Sequence, residues 1–454
     1  MSSKQTRRRF FKTSALAAAT LSLGTYIESR AEGANDKIVL ALVGCGNRGM
    51  STITACCKGN PNVEIKTVCD VNRSKLANAV NSVEKSFGKA PKAAEDMKTI
   101  FDDKDVNAVW IATPEHWHTL ASIWACQAGK DVYVEKNPSV NIWEGRQLVK
   151  AAEKYKRVVQ VGFQNRSAPY AFSAKKYIEE GKLGKIVTIK SYCMLGGGKS
   201  KLPPDAPIPA WLDWDKWLGP APMRPFNPAI VSESGRGGWL NFWAYGGGAL
   251  SDDASHVLDV ARMVVGDPPH PKSVYTVGGN YVFGGDRETP EFEEILYDFG
   301  NFSWSCSSGY ATGYMVKTPG DVRSNKEKFP NWANNATRTE IYGTKGLMYF
   351  GRHGGGWQVL GSGGKIIDQD GGTFPDPEHQ KDFITSLRTR KKPNGDAEQC
   401  HRSACLVHLG HLSYRAGNKQ LLFDSEKETF LNSEEANVLA RGTYRKGYEV
   451  PAEV

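Results

Sequence analysis

The chain has 454 residues, roughly two to three times a typical single domain, so two domains are the default expectation. Hydrophobic residues at 40% and charged residues at 24% describe a globular protein and exclude a disordered chain, a collagen-like fibre and a coiled coil. The net charge of +9 is mostly local. Six positive charges and one negative (Glu28) fall in residues 1–31, so five of the nine belong there. The other four are spread without a Lys/Arg block, which argues against nucleic acid or an anionic membrane as a partner.

The first segment in chain order is a leader. Arg7, Arg8 and Arg9 precede Phe10, Phe11 and Lys12; residues 13–26 are uncharged, and Ser29 and Ala31 offer small side chains for cleavage. That run is too short for a hydrocarbon core, which needs about 20 helical residues. It resembles a twin-arginine export signal over residues 1–31. The expectation is a periplasmic protein exported already folded by the twin-arginine machinery, and hence one carrying a cofactor; no later stretch is long enough to span a membrane. The nine cysteines, an odd number without a C-x-x-C, read as buried apolar side chains rather than a disulfide framework.

Residues 37–43 are a continuous apolar run, the pattern of a strand buried on both faces. Strands are also predicted over 63–69, 106–113, 132–134 and 157–161, with helices over 73–87, 117–128 and 143–155 between them. Strands alternating with helices of this length mean βαβ units and a parallel sheet. Beyond about residue 164 the pattern alternates, over 186–192, 272–277, 293–299 and 337–342, and predicts antiparallel strands. The expected fold is α/β: a Rossmann doubly wound parallel sheet over 36–163, then an α+β domain over 164–454 with a large, mostly antiparallel open sheet.

Gly44, Gly46 and Gly49, with Asn47 and Arg48 inside the loop, follow the first strand directly, and Asp70 ends the second strand 21 residues later. That is the dinucleotide fingerprint: a tight turn, a close approach of backbone to pyrophosphate, and close helix–strand packing. The pyrophosphate takes the helix N-terminus. Asp70 accepts from ribose hydroxyls and repels a 2′-phosphate, so NAD is expected rather than NADP, although Arg73 stands nearby. Lys136, in Glu135-Lys136-Asn137-Pro138 at a strand end, is placed where such sheets bind ligands, and desolvation would lower its pKa for proton transfer; a surface ion pair is the plain alternative. In residues 246–259 three glycines precede a predicted helix over 251–265, on which Asp252 and His256 stand four apart and form an acid–base pair, the carboxylate orienting the ring. The plain alternative is a cap and a core histidine. The aromatic group Trp211, Trp214, Trp217, Trp239, Trp243 and Tyr245 reads as core before it reads as a sugar platform. Cys400, His401, Cys405, His408 and His411 look like metal ligands, but they sit in a packed helical pattern with no carboxylate to complete the set, so no metal is expected.

In order, these motifs resemble the Gfo/Idh/MocA oxidoreductases, named after glucose–fructose oxidoreductase and inositol dehydrogenase. The resemblance covers residues 36–454, including 341–346 and 379–383. It implies Lys136 as the catalytic lysine, His256 with Asp252 as the substrate-side pair, and Gly44, Gly46, Gly49 and Asp70 at the cofactor. Thr113, Pro114, His118 and Glu135 match residues around the nicotinamide. Asn137 stands where the family usually has proline, and Ala254 where glycine is common. The implied activity is hydride transfer between a sugar or glycoside, at C3 for instance, and a tightly bound nicotinamide cofactor, in a homo-oligomer. An NAD-dependent glycosidase using transient oxidation is the alternative; a non-catalytic nucleotide binder would have no use for Lys136, Asp252 and His256 together.

Overall fold

The computed structural model describes residues 37–232 and 238–454, and all counts below refer to these. The leader expected over residues 1–31 lies outside them. No helix among the described residues is long and apolar enough to cross a membrane.

The N-terminal part is a six-stranded sheet in the order β3-β2-β1-β4-β5-β6, parallel in every pair. Its strands are β1 (Ile38–Val43), β2 (Val63–Cys69), β3 (Lys92–Ala94), β4 (Ala108–Ile111), β5 (Asp131–Val134) and β6 (Val159–Val161). Helices α1 (Asn47–Gly59), α2 (Arg73–Phe87), α3 (His118–Gln127) and α4 (Ile142–Lys154) cross over between strands. The order reverses between β1 and β4, and the crevice there, outside the strand C-termini, is where such sheets take ligands. The strand predicted over 106–113 keeps its centre and loses both ends.

The second part carries ten strands, and all but one of the described pairings are antiparallel; β7 (Ile186–Met194) and β10 (Ser303–Gly309) run parallel. Between them in sequence come β8 (Ser273–Gly279) and β9 (Phe292–Asp298), and after them β11 (Arg338–Gly343) to β16 (Thr429–Phe430). Helices α5 (Pro169–Glu179), α6 (Ser255–Val264) and α8 (Ala397–Arg415) cover one face, on Ile189, Ile295, Trp304 and Ile341. The other face leaves Val187, Tyr275, Val277 and Leu296 exposed.

The helix predicted from residue 251 begins differently. Leu250–Ala254 is a π-turn, and α6 starts only at Ser255. Helix α7 (Asp376–Thr389), preceding α8, returns to the first sheet, where Phe383 packs on Trp110 and Tyr133.

Candidate active site

A cavity of about 580 Å³ runs from Gly44, Gly46 and Asp70 past Thr113 and His118 to Lys136, Asp252 and His256. Every catalytic and cofactor residue expected from the sequence except Gly49 lines it; Gly49 is buried beneath the loop.

The nucleotide end fits a dinucleotide on steric grounds. Gly44 has φ +94°, and a Cβ there would stand 2.6 Å from the Ala112 carbonyl; one on Gly49 would stand 2.3 Å from the Gly44 oxygen. Gly46 caps α1 with no side chain on its first-turn N–H groups, leaving them for an anion. The Asp70 carboxylate accepts from the backbone N–H groups of Cys45 (2.7 Å) and Asn72 (2.8 Å), which fixes it at the end of β2. Arg73 is engaged elsewhere, donating to Glu95 (3.1 Å) and to the Ala210 carbonyl (2.7 Å). Asn47 lines the cavity beside Arg48, whose guanidinium pairs with Glu135 (2.9 Å) and Asp376 (3.3 Å). His118 sets its ring nitrogens against the carbonyls of Asn137 (2.6 Å) and Thr113 (2.8 Å), tying the loop after β4, which contains Pro114, to the loop after β5.

At the far end the pairing differs from expectation. Asp252 does not orient His256: its Oδ1 accepts from Lys136 Nζ (2.9 Å) and its Oδ2 from the Tyr310 hydroxyl (2.5 Å). The π-turn is the reason, since a wider turn turns Asp252 away from the four-residue stacking of an α-helix. Lys136 also lies 3.9 Å from Glu115. Burial pulls the ammonium down, but Asp252 and Glu115 outweigh it, and the pKa stands above its ordinary value rather than below it. Lys136 is therefore a charged donor. Burial pushes Glu115 up to about 7 against the pull of Lys136, and its Oε2 accepts from Ser251 (2.5 Å). His256 is buried edge-on to Phe163, with Nδ1 lacking a hydrogen-bond partner. Burial, then the charges of Arg352 and Lys136, hold it well below the ordinary histidine range, so the ring is neutral. Beside it, Asp253 forms ion pairs with Arg352 and Lys317, both of which reach the cavity.

Tyr310, Glu115 and Arg352 were missed by sequence reading; each comes from a different element and shares no spacing with the motifs. The tryptophans divide: Trp214 and Trp217 stack at 4.8 Å in a separate small core, while Trp217 and Trp239 line the cavity. The His/Cys group of α8 also gains a partner that the sequence did not reveal. His401 and Cys405 meet His270 and Glu428 with ligand atoms within 4.8 Å of one another, although Arg146 already holds both Glu428 oxygens, at 2.7 and 3.0 Å.

A parallel sheet of this order with a glycine cradle at one end and a lysine, carboxylate and imidazole at the other defines a dinucleotide-dependent oxidoreductase architecture. Residues 38–163 match the family model described as "Oxidoreductase family, NAD-binding Rossmann fold", and 173–277 with 351–450 match its "C-terminal alpha/beta domain". The chain belongs to the Gfo/Idh/MocA family. It is 32% identical over 176 residues to levoglucosan dehydrogenase of Pseudarthrobacter phenanthrenivorans, a match covering 38% of this chain and 37% of that protein. With scyllo-inositol 2-dehydrogenase (NAD(+)) of Bacillus subtilis it shares 27% identity over 80% of this chain and 82% of that one. A solved levoglucosan dehydrogenase in complex with NADH and levoglucosan has the same fold, with TM-score 0.62 and 20% identity over 87% of this chain and 100% of that chain.

Proposed function

We propose that the protein oxidises a hydroxyl-bearing carbon of a sugar or glycoside, C3 of the ring being one candidate position, using a tightly held NAD, outside the cytoplasm. The observation that carries this is the cavity itself, which joins the glycine cradle to Lys136, Asp252 and His256. The relatives named for sugar and inositol dehydrogenases support it, and the Arg7-Arg8 leader supports twin-arginine export to the periplasm. The exposed apolar face of the ten-stranded sheet supports self-association.

NAD, when bound, supplies the carbon that accepts the hydride. His256, held neutral by burial and lining the cavity, takes the proton of the reacting hydroxyl. Lys136 donates a charged hydrogen bond to the same oxygen as negative charge develops there. Asp252, fixed by Tyr310, holds the ammonium in place. Arg73, tied to Glu95, is not left to receive a 2′-phosphate, which supports NAD over NADP.

The test incubates the purified chain with a panel of mono- and disaccharides and records product masses. The expected product is about 2 Da lighter than its substrate, one hydride and one proton having left. Cleavage without net oxidation would replace this reading with an NAD-dependent glycosidase. No product from any sugar, with NAD bound, would remove the sugar as substrate.

A further inference from the structure

In a bare doubly wound domain the adenosine half of the crevice opens to solvent at the loops after the strands. Here the chain that follows β7 comes back over those loops. We infer that residues 210–219, fastened by residues 444–448, form a strap across the adenosine half of the cavity that makes the dinucleotide a resident group. This rests on the reading of the cavity as a dinucleotide site.

The strap is attached to three successive loops of the first sheet. After β2, Asn72 pairs with Leu212 as an antiparallel bridge, the Arg73 N–H donates to the Trp211 carbonyl (2.8 Å), and the Asp213 N–H donates to the Val71 carbonyl (3.1 Å). After β3, Asp96 pairs with Lys216 at 3.4 Å. After β4, the Trp117 indole N–H donates to the Trp217 carbonyl (3.1 Å), and His116 Nε2 lies 2.9 Å from the same oxygen. These loops flank Asp70, and the cavity is lined by Asp70 and Glu95 on one side and by Leu212, Lys216 and Trp217 on the other.

The outer side is fastened as well. Gly219 has φ +48° and passes so close to Trp117 that a Cβ would meet its ring at 2.1 Å. Arg445 donates to the Gly219 carbonyl (2.8 Å) and pairs with Asp215 (2.5 Å), while Tyr448 packs edge-on to Trp117 and reaches the cavity. The flanking chain is proline-rich from Pro203 to Pro228, so little conformational freedom is lost in holding it extended. Trp214, Trp217 and Leu218 anchor it in their own apolar cluster. Release of an adenosine beneath this strap requires backbone hydrogen bonds and an ion pair to open together.

The test uses the full chain, desalted into nucleotide-free buffer, then denatured and assayed for NAD(H) by chromatography. About one nucleotide per chain is expected, exchanging with added etheno-NAD over hours rather than seconds. Arg445→Ala removes the outer tie without touching the cavity, and release about ten- to a hundredfold faster is expected. Asp215→Ala, on a side chain that is 63% exposed, removes the same ion pair should the first variant fail to fold. Exchange by the unaltered chain within seconds, or release from both variants at the unaltered rate, would overturn the strap while leaving NAD binding intact. Absence of any bound nucleotide together with no calorimetric binding of NAD would overturn the cofactor reading and the strap with it.

Discussion

Burial favours the neutral form of both Lys136 and His256, and only at Lys136 do neighbouring carboxylates outweigh it; at His256 the cations Arg352 and Lys136 add to it. Lysine beside Asp252 and Glu115 stays an ammonium; histidine beside Arg352 and Lys136 stays neutral. In the proposed mechanism that division gives the ring the role of proton acceptor and the amine that of charged hydrogen-bond donor. Lys136→Met is expected to lower kcat by about 10²–10⁴-fold without changing the nucleotide content of the purified protein. Asp252→Asn removes the main support of the ammonium, so burial prevails and the lysine pKa falls. The rate then declines with rising pH earlier in the variant than in the unaltered chain, and a pH profile of kcat checks the direction. An unmoved alkaline limb would mean that Lys136 does not need its charge. The three candidate catalytic residues were legible as candidates because each sits in a motif of fixed spacing, and the structure brings all three to one cavity. Their wiring was not, since Tyr310 lies in the chain just beyond β10 and nothing in a linear pattern connects it to Asp252.

At the level of the element, strands buried on both faces were legible as apolar runs, and β1 and β2 are the examples. The edge strand β3 was invisible because three mostly exposed residues carry no pattern. Strand β14 (Ile366–Asp370), exposed at every residue, is set by pairing with its neighbour β13 (Gly356–Leu360) rather than by burial. Helix α8 lies buried along nearly its whole length, so it lacks the one-sided stripe that marks a surface helix. Strand β9 holds a buried carboxyl, Glu293, pushed up to about 8 by burial alone. Its folded pKa lies above the ordinary 4.5, so the folded state keeps a proton that the unfolded chain releases. That contribution to stability is whole below the unfolded value and is lost as pH rises through 8. The contribution of this group to thermal melts should therefore fall from about pH 4.5 to about pH 8 and level off above. Glu293→Gln should flatten that fall by a few degrees, about 2–4 °C for each kcal/mol; an unchanged slope would show that Glu293 ionises at an ordinary value.

At the scale of the whole molecule, the two sheets share their cores. Phe383 and Ile384 of α7 complete one face of the parallel sheet, and Ala397 and Cys400 of α8 with Val450 complete the other. Gln160 of β6 forms a bridge with Asp396, and Arg390 pairs with Asp131. Arg166, just after the first sheet, is buried against Asp259 of α6 at 2.6 Å. A segment of residues 36–163 produced alone would expose both apolar faces at once. It is expected to be insoluble, or to bind a hydrophobic dye and lack near-ultraviolet dichroism, and residues 36–454 are expected to unfold in a single transition. A soluble fragment with a cooperative melt would contradict this. The sequence pattern located the change from parallel to alternating strands near residue 164, but not this return of the chain, because helices that close a distant sheet look like helices that cover a near one.

The cysteines have a consequence of their own. All nine are buried and none is paired. In the native molecule a thiol reagent meets little, since only Cys69 borders the cavity, and burial also pushes these thiols well up in pKa, Cys56 chiefly by desolvation. Alkylation therefore waits largely on opening, and because the nine are distributed from the loop after β1 to α8, the order in which they are labelled is a map of which parts of the chain let go first.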